Sequence, residues 1–224
     1  MRLRELAQRF RPDPAAVPPA EQLRSALAAA LATLVVVWFC TQVVAMPVAL
    51  VAALGASSAL VFGLPLSPLA QPWPVVGSYL VSALSGVAAA RWLPGVPLAA
   101  GVAVGGAVIG MLALRCLHPP GGAVALHAVI GGEAARTLGF QYVLTPVLVN
   151  ALLLVLLALV VNNLLAGRHY PRRPVPPHAH AGGFSEDDLK AALLEYGHPL
   201  AASEEELDSI LELAESHARK RRRA

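Results

Sequence analysis

The run His118-Pro119-Pro120-Gly121-Gly122-Ala123 has the residue types for holding an anion without a fixed positive charge. Two successive prolines cannot continue a helix, but they fit its first turn, and the residue before a proline is pushed to extended backbone. Gly121 and Gly122 leave room for a partner to approach the main chain. The expected product is a helix that starts near Pro120 with bare N–H groups at its first turn. Such an end carries the positive pole of the helix dipole and attracts anions. His118 adds a ring that titrates near neutrality. The competing reading is a structural break with His118 bonded to backbone. Gly121→Leu is expected to block a cavity here with little effect on membrane insertion.

Met46-Pro47 opens a second helix in the same manner, and Gly55-Ala56-Ser57-Ser58 lies on it. Small residues serve close helix packing, with lining of a path as the other use. His127 and Asn150 fall in apolar stretches, where polar side chains face the protein interior or a cavity. A lone histidine in such a place is more often a bonded core residue than a proton relay. The candidate substrate-binding set is therefore His118, Pro119, Pro120, Gly121, Gly122, Pro47, Ser57, Ser58, His127 and Asn150. Hydrolytic or metal chemistry needs clustered carboxylates or histidines. Glu133 is the one acid between Ser25 and Gly167, and His178 and His180 have no ligand set around them. No enzyme, metal or cofactor is expected.

The elements that must position these residues are read from apolar runs. The chain is 56% hydrophobic and only 14% charged over 224 residues, against about 25% charged in soluble domains. Of its 17 Lys and Arg, five lie at or before Arg24 and nine at or after Arg168. So long a nearly uncharged stretch suits a bilayer rather than a soluble core. Six segments follow: Ser25 to Val44, Pro47 to Phe62, Val75 to Trp92, Pro97 to Arg115, Gly121 to Gly132 and Phe140 to Ala166. Trp73, Trp92, Tyr142 and Tyr170 sit near segment ends, as interfacial anchors do. Cys40 and Cys116 read as buried thiols, not a disulfide. No cleavable signal peptide is read. The basic flanks serve topology and lipid headgroups, so no nucleic-acid partner is expected.

Both flanks are Arg-rich, which places both cytoplasmic and demands an even number of crossings. The fifth segment must then cross, although its 12 residues span only about 18 Å of a ~30 Å core. Val48–Gly55 and Val124–Gly131 match at five of eight positions. Each lies in the middle segment of a group of three, the pattern of an inverted repeat whose short, broken helices flag a transport site. Coincidence in an Ala/Val/Leu-rich chain is the rival account. The uncharged run Gly63-Leu64-Pro65-Leu66-Ser67-Pro68-Leu69-Ala70-Gln71-Pro72 is expected to fold back against the bundle. Residues 1–22 read as a cytoplasmic lead, 23–167 as the membrane domain, 168–183 as a flexible Pro/His linker, and 184–224 as a cytoplasmic tail of two short helices. The expected fold is an all-α polytopic bundle of about six crossings.

These residues resemble the HPP family of integral membrane proteins, which is named for its His-Pro-Pro motif. His118–Ala123, the run from Leu54-Gly55-Ala56-Ser57 to Phe62-Gly63, Ser67-Pro68-Leu69-Ala70-Gln71-Pro72 and the Gly77–Gly86 stretch carry the resemblance over about residues 20–170. The family is usually described with four transmembrane segments, fewer than the six read here. Its chloroplast and cyanobacterial members are linked to nitrite transport, and many bacterial members carry a nucleotide-binding CBS pair after the membrane domain. Such a pair would begin about where these 224 residues end. The resemblance implies a transporter or channel for a small inorganic anion in a bacterial inner membrane, with a homo-oligomer as an option. The alternative is a non-transporting scaffold or sensor acting through residues 184–224.

Overall fold

The computed structural model describes residues 18–42, 51–165 and 168–172, together with Leu211, Ala214, Lys220 and Arg221. The described elements are helical throughout: α1 (Pro19–Gln42), α2 (Val51–Gly63), a 3-10 turn (Pro68–Ala70), α3 (Pro72–Trp92), α4 (Val96–Ala113), α5 (Pro120–Ile130), α6 (Gly132–Leu138), a π turn (Val143–Leu148) and α7 (Val149–Leu164). Prolines open α1, α3, α4 and α5, where a missing N–H costs nothing. Met46, Pro47 and the tail helices expected over 184–224 lie outside the described residues, apart from the four isolated positions named above.

Among the described residues, four stretches are long and apolar enough to cross a membrane: Pro19–Gln42, Pro72–Trp92, Val96–Ala113 and Val143–Leu164. The other two expected segments are α2 and α5, of 13 and 11 residues, about 20 and 17 Å long. The last segment, expected as one helix from Phe140 to Ala166, is broken. Gly139 turns the chain at φ +51 after α6. Pro146 then removes a backbone donor, Thr145 goes extended (φ −132, ψ 111), and the ladder widens to a π turn before α7.

Helix α3 is the hub. Half of its most apolar stretch is buried, against 17% for that of α1. It packs on α4 and α5 through small residues. A Cβ on Gly86 would sit 2.5 Å from the Ala125 carbonyl oxygen of α5, and one on Gly110 of α4 would sit 2.5 Å from a Val81 methyl of α3. Without a hydrophobic drive between helices in lipid, such close backbone approach supplies the dispersion contact that holds them. The second group is α1, α2 and α7, joined around Ala32, Val36, Phe62, Leu154 and Ala158. Between the two groups Tyr79, Val124 and Tyr142 fill a third cluster.

Hydrogen bonds fix which ends meet. Trp73 at the start of α3 donates to the Leu114 carbonyl at the end of α4. Tyr170, after α7, donates to the Ala70 carbonyl, and Arg168 reaches Glu21 at the start of α1. At the opposite end the rings of Trp92 and Phe140 lie 6.2 Å apart. The 63–72 run does fold back against the bundle, with Ala70 fully buried. Gln71 closes the run on itself by donating to the Pro65 and Ser67 carbonyls.

Candidate functional site

Helix α4 stops in a turn that closes from the Cys116 N–H to the Met111 carbonyl, with Arg115 in the left-handed region at φ +52. Pro119 and Pro120 then start α5 in a new direction, and the elbow presses the His118 ring into the protein, where it is fully buried. Its Nδ1 lies 2.8 Å from the Leu69 carbonyl oxygen and its Nε2 lies 2.8 Å from Ser57 Oγ. Ser57 Oγ is in turn 2.8 Å from the Tyr79 hydroxyl. A carbonyl only accepts, so Nδ1 carries the proton. Nε2 therefore accepts from the Ser57 hydroxyl, which accepts from Tyr79. The chain Tyr79 to Ser57 to His118 to Leu69 is complete for a neutral imidazole. It ties α2, α3, the elbow and the folded-back 67–71 turn together at one buried point.

Of the expected site residues that are described and lie outside the elbow itself, Ser57 alone bonds to the His118 ring. Ser58, one residue on, faces α1 and accepts from Thr33 at 3.1 Å. Asn150 accepts from the Cys40 thiol at 2.8 Å on the seam between α1 and α7. His127 stacks on Tyr142 (centroids 6.1 Å, planes 23° apart), and its Nε2 is buried without a hydrogen-bond partner among the described residues. Pro120 is buried and Pro119 exposed. Pro47, the expected counterpart terminus, lies outside the described residues.

Two expectations about the elbow need correction. The N–H groups read as bare are closed in turns: Gly121 donates to the His118 carbonyl at 2.9 Å and Gly122 to Pro119 at 3.0 Å. What the terminus still offers is the dipole's positive pole. Nor does Gly121 face a cavity. A Cβ there would lie 2.8 Å from Ser82 Oγ and 3.1 Å from the Ser78 Cβ, so this glycine is a contact surface against α3. A leucine at 121 would clash, not plug.

Sequence reasoning missed Tyr79, whose signal was a tyrosine one turn inside an apolar segment. It also missed a second polar centre. Arg168 is buried and uses all five guanidinium donors. Nε donates to Glu21 at 2.7 Å; Nη1 donates to the Phe62 carbonyl at 3.0 Å and to Asn162 at 2.9 Å; Nη2 donates to Glu21 and to Ser25 at 2.6 Å. Asn162 passes the connection on to the Val61 carbonyl. One side chain thus staples the ends of α1, α2 and α7. Residues 168–172, the first five of the linker expected over 168–183, are hydrogen-bonded to the bundle; residues 173–183 lie outside the described residues. The Arg172 N–H donates to Gln71 at 2.9 Å, and Tyr170 pairs through its main chain with Asn163. Burial pushes the Tyr170 phenol above its ordinary value, so its O–H stays a donor to Ala70 at any ordinary pH.

The profile of the HPP transmembrane region matches residues 14–171. Two transmembrane proteins of Dictyostelium discoideum are similar over 126 residues, at 41% and 40% identity. The match covers 54% of this chain in both cases, and 40% and 44% of those relatives, so the chain spans under half of their length. No solved structure matches. With the profile spanning every element from α1 to α7 and including the His-Pro-Pro elbow, the chain belongs to the HPP family of integral membrane proteins.

Proposed function

We propose that this protein is a six-crossing membrane module that passes a small, nitrite-like anion between its two short helices, with both termini cytoplasmic in a bacterial inner membrane. The observation that carries the reading is the buried chain Tyr79–Ser57–His118, which joins α2, α3 and the α5 elbow by neutral donors alone. Neutral donors beside a dipole's positive pole suit an anion better than a carboxylate would.

Helix directions support six passages. The pairs Thr33–Ser58 and Glu21–Arg168–Phe62 run α2 back along α1. Gly121 against Ser78 and Ser82, and Gly86 against Ala125 and Ala128, run α5 alongside α3 in the same direction. Both short helices then traverse the bundle, with the 64–71 and 114–119 turns completing their depth. Four long spans plus two short ones also accommodate the family's usual count of four. The end holding Arg24, Arg115, Arg168 and Arg172 is more basic than the end holding Arg91, Arg136 and Glu133, which favours the first as cytoplasmic. The inverted-repeat relation between the halves and a homo-oligomer belong to the same proposal.

The alternative is a non-transporting scaffold or sensor acting through residues 184–224. It is favoured by the complete internal bonding of His118, which a purely structural joint would also show. Nitrite uptake into proteoliposomes, measured with and without a pH gradient, separates the two. The transport reading expects flux above empty liposomes, reduced severalfold by Ser57→Ala and by His118→Ala. Parent liposomes no more permeable than empty ones would leave the scaffold.

A further inference from the structure

We propose that residues 168–172 form a strap that sets the His118 ring through the 67–71 turn, making Tyr170 and Arg168 positioning residues for the intramembrane site. The inference rests on reading Tyr79–Ser57–His118 as that site. It names what holds the site from outside the membrane helices.

The connection is short and continuous. His118 Nδ1 is oriented by the carbonyl of Leu69. The next carbonyl, that of Ala70, accepts the Tyr170 hydroxyl at 2.9 Å in a fully buried contact. The next side chain, Gln71, accepts the Arg172 N–H at 2.9 Å and donates back into its own turn at Ser67 and Pro65. Three consecutive residues of the turn therefore bond either to His118 or to the strap. The strap has its own anchor, the Arg168 guanidinium. That anchor grips Glu21 and Ser25 on α1, and the ends of α2 and α7 at the Phe62 carbonyl and Asn162. Glu21 has a third of its side chain open to solvent, and Ser25 is also half-buried.

A 3-10 turn of three residues has little rigidity of its own. Its ladder is short, and its Leu69 carbonyl points at His118 because the strap fixes the neighbouring peptide. Releasing the strap lets that carbonyl swing, and the ring loses the acceptor that selects its Nδ1–H tautomer. The chain continues from Arg172 toward residues 184–224, so a pull or a modification on that side reaches His118 through one turn of backbone.

The test uses the full chain in nanodiscs with 15N-labelled histidine. Ring nitrogen signals distinguish the tautomers, and loss of signals in His118→Ala assigns them. Tyr170→Phe deletes one hydroxyl and keeps the ring that packs in the α1–α2–α7 core. The strap predicts that Tyr170→Phe shifts or splits the His118 Nδ1 signal while the helices keep their thermal transition. Glu21→Gln, which keeps an acceptor but removes the charge, is expected to move the same signal by less and to speed amide exchange at Tyr170. If Tyr170→Phe does not fold, Glu21→Gln decides alone. Unchanged His118 signals in the folded variants would overturn the proposal. Because the readout is spectroscopic, a parent without nitrite flux but with a ring signal that follows Tyr170 would remove the transport reading and leave the strap.

Discussion

Helices α2 and α5 are the two short apolar helices, and they match in sequence more closely than in surroundings. Gly86 of α3 meets the α5 backbone at Ala125, and Gly121 of α5 meets Ser78, Ser82 and Met111. A Cβ on Gly55 of α2 would meet nothing within 4 Å, and this glycine faces outward. At the matched octapeptide positions, Leu54 is buried whereas Ile130 is 55% exposed. Gly55 is open, whereas Gly131 lies under the His127 ring. The shared residues therefore mark helices of like length rather than like packing. One is wedged against the hub by close backbone approach; the other packs through Leu54, Val61 and Phe62 into the core it shares with α1 and α7, and is hydrogen-bonded at a few points: Ser57 to His118, Ser58 to Thr33, and the Arg168 staple at its end.

If α5 is held by close backbone approach, the largest effect should come from filling that contact. Gly86→Leu must push its side chain into the Ala125 carbonyl, and we expect a loss of about 3 kcal/mol or more, seen as a lowered thermal transition in detergent. Gly121→Leu should follow closely. The hydrogen-bonded grip on α2 is probed next. Arg168→Ala leaves Glu21, Asn162 and the Phe62 carbonyl without their donor and should cost about 3 kcal/mol, the low end for a buried pair since Glu21 is partly solvated. Ser57→Ala strands the Tyr79 proton and the His118 Nε2 together, for about 2 kcal/mol. Gly55→Ala should carry the opposite sign, a gain of about 0.5–1 kcal/mol, because a helical glycine in open space gains rigidity without a clash. A destabilising Gly55→Ala would show that α2 is packed as tightly as α5, and the contrast would be lost.

Much of this was legible in the sequence. Charge distribution and apolar runs gave the membrane domain and its segments, because lipid leaves few alternatives for a backbone. The elbow at His118 was legible because Pro119 and Pro120 forbid a continuous helix. The folded-back 63–72 run was legible from its lack of charge. The break at Thr145–Pro146 was missed, although Pro146 stood in plain view inside the sixth segment. The site itself was less legible, since hydrogen-bond partners are set by tertiary contact. Ser57 and Ser58 are adjacent, yet a helix turns them about 100° apart, one to His118 and the other to α1. Tyr79 and Leu69 could be joined to His118 only once α3 and the 3-10 turn were placed. Arg168 read as a topology charge because sequence offers no sign that Glu21, 147 residues away, would be its partner.

If the two short helices cross, the connections at Leu66 and Ala134 lie on opposite sides of the membrane. Single cysteines at Leu66, Ala134 and His169, in a chain with Cys40 and Cys116 replaced by alanine, can be labelled from either side of oriented vesicles by an impermeant thiol reagent. All three positions are exposed. Six crossings predict that Leu66→Cys and His169→Cys label from the cytoplasmic side and Ala134→Cys from the opposite side. Labelling of Ala134→Cys and His169→Cys from the same side would contradict it.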